Sequence, residues 1–223
     1  MDKFIIASTG KWNKELYFSK NFHLRKRCKF VESPRELRRV LKSYKPKFIF
    51  FIHWRWIVPK NTITKYECIC FHMTDLPYGR GGSPLQNLIL RKHKDTKLSV
   101  IKMTAKVDAG PIYYKRTLSL HGSALQIYLR CSKLCLKLIE KIIKNNPLPS
   151  EQKGKIVKFK RRQPSQSKIP NNLNLNDIYD YIRMLDAPGY PKAYINFGKN
   201  KVELSEAKFN NGILKFKGSV KSN

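Results

Sequence analysis

The segment from residue 67 to residue 84 constrains the fold of this chain more than any other. A strand-like run of mostly apolar residues ends at His72, a turn and a glycine cluster follow, and Ser83-Pro84 is typical of the first turn of a helix. This order predicts a strand, a loop and a helix, the repeating unit of an open α/β sheet. Such sheets place their reactive groups beside the carboxyl ends of strands, so His72 is the first candidate functional residue.

The first 150 residues repeat this alternation of strands and helices. Ser33-Pro34 and Glu36 form the sequence signature of a capping box and a helix start. A long amphipathic helix is predicted over 122–145. We therefore predict an α/β fold with a doubly wound, mostly parallel, Rossmann-like sheet. Its strands are expected over 3–8, 28–31, 47–52, 67–71, 98–104 and 111–118.

The sequence changes in character after residue 150. Residues 161–176 are polar and rich in Pro and Asn, which indicates a connector over 151–176. Residues 177–223 predict a short helix and then alternating strands joined by turns, which indicates a small antiparallel β appendage. We expect a catalytic domain over 1–150, the connector, and this C-terminal helix-plus-hairpin region.

The formal net charge of +31 restricts the classes of partner. It favours nucleic acid, an anionic membrane surface or small anionic substrates. Lysines are spread along the whole chain and no aromatic-interleaved basic block occurs, which indicates a solvated surface. A nucleic-acid partner is therefore the less favoured interpretation, although the charge does not exclude it. We expect a cytoplasmic protein without a membrane span, and the sequence leaves the oligomeric state open.

The five cysteines favour reduced, buried thiols over a disulfide framework. Cys131 and Cys135 are four residues apart in the predicted long helix, and Cys68 and Cys70 alternate in a strand. Cys68, Cys70 and His72 share one strand face, so zinc is an alternative. No C-x-x-C pair or second ligand cluster accompanies them, and we expect no metal.

Two titratable residues follow predicted strands and precede glycines. His72 precedes Gly79, Gly81 and Gly82, and Asp108 precedes Gly110. We expect both at the carboxyl edge of the sheet, where they would form a general acid–base pair. The alternative is a capping histidine and an ordinary turn aspartate. The paired glycine loops, which allow close approach of a ligand, favour the acid–base pair.

This arrangement resembles the folate-dependent formyltransferases. Their motif has Asn-x-His, a Leu-Pro, Arg-Gly, a Pro that opens a helix, and a downstream Asp-x-Gly. The matching residues, in order, are His72, Leu76-Pro77, Arg80-Gly81, Pro84 and Asp108-x-Gly110. Residues 181–191 are similar to the segment that starts the C-terminal region of sugar N-formyltransferases. The sequence of residues 72–87 is similar to that of one branch of the family. This branch contains the formyltransferase of pseudaminic acid biosynthesis and a peptide-synthetase formylation domain.

The resemblance implies transfer of a formyl group from 10-formyltetrahydrofolate, without a metal, to the amine of a nucleotide-linked amino sugar. A UDP-linked 4-amino-4,6-dideoxy sugar of a pseudaminic-type glycan is the expected acceptor. The alternatives are an enzyme similar to methionyl-tRNA formyltransferase, against which the short C-terminal region counts, and a catalytically silent nucleotide- or RNA-binding module. His72 would stabilise the oxyanion, and Asp108 would orient His72 and help to move the amine proton.

The resemblance and the local sequence also suggest binding residues. Folate would lie against two loops, which contribute Arg80, Gly81, Gly82, Ser83, Met103, Thr104 and Val107. The loop after the first strand is a candidate diphosphate cradle or an ordinary turn, and it contains Thr9, Gly10, Lys11, Trp12 and Asn13. Trp54 and Tyr190 would contact the substrate, with packing and turn roles as the alternatives.

Cys70 departs from the family pattern, because it stands where the family has the Asn of Asn-x-His. A thiol is a weaker hydrogen-bond donor than an amide. Either His72 stabilises the oxyanion alone or another group supplies the missing donor. His53, at the end of the neighbouring predicted strand, is the candidate for that group.

Overall fold

A computed structural model describes residues 2–19 and 22–222, without the side chains of 221 and 222. Met1 and Asn223, the outer ends of two predicted regions, lie outside the described residues. The helices are α1 Lys11–Phe18, α2 Pro34–Leu41, α3 Lys60–Lys65, α4 Pro84–Leu90, α5 Ala124–Asn145 and α6 Leu175–Arg183. The strands are β1 Phe4–Ser8, β2 Cys28–Val31, β3 Phe48–Ile52, β4 Glu67–His72, β5 Tyr78–Gly81, β6 Asp95–Lys102, β7 Ile112–Ser119, β8 Val157–Phe159, β9 Ala193–Phe197, β10 Asn200–Asn210 and β11 Ile213–Ser222.

A six-stranded sheet in the order β2-β1-β3-β4-β6-β7 forms the centre of the fold. β1 pairs in parallel with β2 and β3, and β3 pairs in parallel with β4. Every residue of β1 and β3 is buried, as expected for parallel strands covered on both faces. The predicted α/β fold with a mostly parallel sheet is therefore confirmed.

β6 pairs with β4 in the antiparallel direction, with His72 opposite Ser99 and Ile69 opposite Lys102. The loop that follows β6 therefore leaves the sheet near the start of β4, where Met103 N–H donates to the Cys68 carbonyl at 2.8 Å. The prediction that Asp108 follows a strand at the same sheet edge as His72 is wrong. Alternation of apolar residues gives a strand's faces but not its direction.

Local signals explain the helix starts. The Ser33 hydroxyl accepts from Glu36 N–H, and Pro34 occupies the first turn of α2, as the capping signature predicts. The sequence did not indicate α3. The expected loop at Tyr78–Gly81 is instead a short strand, β5, which pairs with β8.

The chain divides into two compact units. The first contains Met1–Gly81, Lys97–Leu118 and Leu129–Lys158, and the second contains Gly82–Thr96, Ser119–Tyr128 and Phe159–Asn223. In the first unit, Ile5, Ile49, Phe51 and Cys68 belong to a buried apolar cluster on the sheet.

The second unit contains the antiparallel sheet β11-β10-β9. The Asn174 side chain caps α6 by accepting from Asp177 N–H. Leu204 of β10 and Ala193 of β9 pair in register and are buried. Across the described part of the chain, no helix is long and apolar enough to cross a membrane.

Candidate active site

His72 is the last residue of β4, and its imidazole is buried. Nε2 lies 2.8 Å from the Gly79 carbonyl oxygen. A carbonyl can only accept, so Nε2 carries a proton and donates it. Nδ1 is left to face the other candidate residue. Gly79 has φ +79°, which a residue with a Cβ rarely adopts, and this conformation turns the chain back so that its carbonyl meets the ring.

The Ser99 side chain of β6 stabilises the loop between His72 and Gly79 by two hydrogen bonds. The Ser99 hydroxyl donates to the Thr74 carbonyl at 2.6 Å and accepts from Leu76 N–H at 3.2 Å. Thr74 Oγ1 donates to the same Gly79 carbonyl at 3.3 Å. These bonds are buried, so the loop presents the Gly79 oxygen to His72 in a fixed place.

Asp108 lies beside His72, with 3.6 Å between its Oδ1 and His72 Nδ1. Its other oxygen, Oδ2, accepts from Gly81 N–H at 2.9 Å. The two side chains are only 8% and 13% exposed, so their charges are weakly screened by water. The structure thus brings the His72 imidazole and the Asp108 carboxylate to within ion-pair distance, with Nδ1 as the facing atom.

The backbone around Asp108 requires the glycine that follows it. Asp108 has φ +52°, in the left-handed region. A Cβ on Gly110 would lie 1.7 Å from the Lys102 carbonyl oxygen. Only a glycine allows this approach to β6, and the tight loop then carries the carboxylate to His72.

Cys70 lies half-buried in β4, two residues before His72. Burial, and secondarily the nearby Asp108 carboxylate, raises the pKa of the Cys70 thiol well above its usual value. The thiol is therefore neutral at physiological pH and offers one weak donor.

His53 belongs to a closed ring of hydrogen bonds. Its Nε2 lies 3.1 Å from Ser132 Oγ, and the Ser132 hydroxyl donates to Asn13 Oδ1 at 2.5 Å. Asn13 Nδ2 donates to the Thr9 carbonyl, and Thr9 Oγ1 donates to the His53 carbonyl at 2.7 Å. This ring ties the ends of β1 and β3 to α1 and α5, and it holds His53 at φ +49°.

The other residues of the predicted cradle have different surroundings. The Trp12 ring is buried and folds back over Gly10, whose Cβ position would lie 2.6 Å from that ring. Lys11 is exposed at the start of α1. Trp54 packs edge-on against Phe51 and Trp56. Of the cradle residues, Lys11 is the one that presents its side chain to solvent.

Three of the predicted folate residues follow β6 in the first unit. Met103 packs against the apolar cluster of the sheet, and Thr104 Oγ1 donates to the Lys106 carbonyl at 3.0 Å. The Val107 side chain is 58% exposed. Residues 104–107 of this loop are exposed.

Arg80, the fourth, contacts Gln152, which the sequence analysis did not identify. Arg80 Nε and Nη2 donate to Gln152 Oε1 at 3.2 and 2.8 Å. Gln152 lies in the predicted connector, and no local motif distinguishes it there. Ser132 was also missed, although a polar residue in the apolar stripe of the long helix is a signal.

Three further predicted residues belong to the second unit. Gly82 N–H donates to the Phe159 carbonyl at 3.1 Å, and Ser83 Oγ accepts from Arg162 N–H at 3.0 Å. Tyr190 stacks on Tyr128 with ring centroids 5.3 Å apart.

The thiols of Cys131 and Cys135 lie 3.9 Å apart inside α5. The hydrogen bond from Cys135 lowers the pKa of the Cys131 thiol, burial opposes that change, and the contact with His53 adds to it. No group of three or more His, Cys, Asp or Glu within residues 2–19 and 22–222 is arranged to hold a metal ion.

Comparison with known proteins adds four findings. Residues 164–222 match the family model of the methionyl-tRNA formyltransferase C-terminal domain. A solved structure, a methionyl-tRNA formyltransferase from Clostridium thermocellum, is 40% identical with a TM-score of 0.94, and each chain is covered in full. The methionyl-tRNA formyltransferase of Sulfurihydrogenibium sp. is 26% identical over 80% of this chain and 60% of its own.

A 4-N formyltransferase from Francisella tularensis has the same fold, with 17% identity, a TM-score of 0.66 and 96% of each chain covered. The chain spans about three fifths of the length of the curated relatives it matches.

Proposed function

This chain belongs to the formyltransferase family, and we propose on that premise that it transfers a formyl group from 10-formyltetrahydrofolate to a primary amine. The observation that carries the proposal is the buried His72–Asp108 pair, 3.6 Å apart, whose carboxylate is fixed by Gly81 N–H. The pair combines a proton donor with a group that orients it, as acyl transfer to an amine needs.

The residues divide the reaction between them. The amine forms a new C–N bond with the formyl carbon, the bond from that carbon to N10 breaks, and the proton lost by the amine ends on N10. Asp108 and His72 Nδ1 would carry this proton. The formyl oxygen, on which negative charge develops, would be stabilised by the positive charge that His72 gains when Nδ1 takes up the amine proton. The Gly79 carbonyl accepts from Nε2 and so keeps Nδ1 free for that proton.

The loop that follows β6 fits the flat pterin ring. Residues 104–107 are exposed, and Val107 offers an apolar side chain next to Asp108. Arg80 directly precedes Gly81, whose N–H donates to the Asp108 carboxylate. We propose that Arg80, Gly81, Met103, Thr104 and Val107 contact the folate, and the folate contacts predicted for Gly82 and Ser83 of the second unit stay separate predictions.

The proposed acceptor is the aminoacyl amine of methionyl-tRNA. The 40% identical structure and the curated relatives at 25–28% identity support it, because most of them are methionyl-tRNA formyltransferases. Exposed Lys208 lies directly opposite exposed Lys215 in the register of β10 and β11. Like charges in such pairs destabilise a sheet, and a polyanion would relieve their repulsion. With this acceptor the +31 charge would serve RNA binding, in place of the solvated surface that the sequence favours.

A nucleotide-linked amino sugar is the second candidate. The segment 72–87 is similar to the sugar-modifying branch. The preference of the sequence analysis for this acceptor is not confirmed. In this case Lys11 would contact the diphosphate and Trp54 the sugar or base, and Tyr190 of the second unit stays a separate prediction.

The test offers the purified chain 10-formyltetrahydrofolate with charged initiator tRNA or with a panel of UDP- and TDP-linked amino sugars. We expect turnover on the tRNA that is lost in His72→Ala and kept in His23→Ala, which removes an exposed histidine. Binding of the tRNA should weaken steeply as salt rises. Turnover on a sugar alone would overturn the tRNA acceptor, and turnover on neither would overturn formyl transfer itself.

A further inference from the structure

We propose that Gln152 is a positioning residue of the active site, whose side-chain amide holds the Asp108 loop and Arg80 in their working arrangement. This inference rests on the proposed function for its kinetic consequences, but the arrangement can be tested without it. Neither the motifs nor the matched C-terminal region, residues 164–222, includes Gln152.

The nitrogen of the Gln152 amide holds the loop. Nε2 donates to the Asp108 carbonyl at 2.9 Å and to the Gly110 carbonyl at 2.8 Å. These two carbonyls flank the turn that places the Asp108 carboxylate beside His72. Because Asp108 has the left-handed φ of +52°, its conformation needs support from outside the loop. The two hydrogen bonds supply that support.

The oxygen of the same amide holds Arg80. Oε1 accepts from both Nε and Nη2 of Arg80, which fixes the plane of the guanidinium. The next residue, Gly81, donates its N–H to the Asp108 carboxylate at 2.9 Å. Gln152 and the Gly81 N–H therefore tie the same two segments together from two sides.

Only a side-chain amide satisfies all four bonds. Two donors face carbonyls and one oxygen faces two N–H groups, which matches the inventory of glutamine. A glutamate could accept from Arg80, but its carboxylate would face the two carbonyls. The backbone places Gln152 at this point, because Ser150 and Ile112 exchange hydrogen bonds at 2.7 and 2.9 Å.

The Gln152 amide also keeps the Arg80 guanidinium apart from the Asp108 carboxylate. Arg80 and Asp108 lie on segments in direct contact, and a free guanidinium would be attracted to the carboxylate that faces His72. By occupying the guanidinium with a neutral oxygen, Gln152 leaves the Asp108 carboxylate to His72 and Gly81. Loss of Gln152 should therefore disturb the His72–Asp108 pair and not only the loop.

The test compares Gln152→Glu, Gln152→Met and the control Glu151→Ala, which truncates the exposed neighbouring side chain. Gln152→Glu keeps the size and the acceptor for Arg80 but removes both donors to the loop. We expect both Gln152 variants to lower kcat by roughly tenfold or more, because small misplacements of catalytic groups are costly. KM for 10-formyltetrahydrofolate should rise more in Gln152→Met, which also frees Arg80.

A second readout does not depend on the reaction. The imidazole ¹⁵N signals of His72, identified by their loss in His72→Ala, are followed in a pH titration of the intact protein. We expect both Gln152 variants to change the midpoint or the Nδ1 shift, and Glu151→Ala to leave them unchanged. Wild-type titration of His72 in both Gln152 variants, or a Gln152→Glu protein with wild-type kcat, would overturn the proposal. If the wild-type protein formylates no acceptor, the proposed function fails while the titration still decides the role of Gln152.

Discussion

Replacement of Asp108 by Asn is the sharpest perturbation of the proposed site. The Asn oxygen can still accept from Gly81 N–H, which Asp108 Oδ2 accepts at 2.9 Å. The shape of the loop should therefore survive. What is lost is the negative charge 3.6 Å from His72 Nδ1.

The magnitude follows from that distance and the burial of the pair. Unit charges at 3.6 Å attract with about 4–5 kcal/mol at an effective dielectric constant of about 20. The Asp108 side chain is 13% exposed, so water screens part of this attraction. If about 3–4 kcal/mol of it acts on the charged form of His72 during proton transfer, kcat falls by roughly two to three powers of ten.

The assay measures kcat and KM for formyl transfer in Asp108→Asn, with thermal unfolding as the check on folding. The exposed Asp95, at the start of β6, provides the control Asp95→Asn. We expect KM for the acceptor to change little, because the lost interaction matters mainly in the transition state. An Asp108→Asn enzyme within threefold of the wild-type kcat would show that the Asp108 charge plays no part in the reaction.

Three further predictions concern stability. Ser132→Ala should lower the free energy of unfolding by about 1–3 kcal/mol in denaturant titration, because it leaves buried Asn13 Oδ1 without its donor; an unchanged midpoint would contradict this. Gly110→Ala should lower both Tm and kcat, because the added Cβ would lie 1.7 Å from the Lys102 carbonyl oxygen. Wild-type Tm and kcat in this variant would contradict the close approach of Gly110 to β6. Burial raises the pKa of Cys28 from 9.0 to about 12, so the unfolded chain ionises first and stability falls as pH rises from about 9 to 12. Cys28→Ala should flatten that decline, and an equally steep decline would refute the assignment.

Local sequence signals account for most of the elements but not for their directions. β1 and β3 were predictable because parallel strands buried on both faces are almost wholly apolar. α2 was predictable from Ser33 and Glu36, whose bonds form as the pattern requires. β5, with the sequence Tyr-Gly-Arg-Gly, has little strand propensity because half of its residues are glycine, and it forms through its pairing with β8.

The candidate site divides in the same way. His72 and Asp108 were identified because each stands in a glycine-containing motif. Gln152 was not, because its partners lie 42 to 72 residues away and its own surroundings are polar. Asn13 shows the converse case. A polar residue beside a helix start suits a phosphate, yet the Asn13 amide points inward to Thr9 and Ser132, and only burial distinguishes the two roles.

Cys70 stands where the family has an asparagine. The structure indicates what restoring that asparagine would do. The thiol is neutral and a weak donor, and His53 directs Nε2 to Ser132. If His72 alone stabilises the developing oxyanion, Cys70→Ala should keep kcat within about threefold, whereas Cys70→Asn should raise it by roughly tenfold by adding a donor. The assay is formyl transfer at saturating substrates. A Cys70→Ala enzyme without activity would show that the thiol itself acts, and loss of turnover in His53→Ala with an unchanged Tm would assign the missing donor to His53.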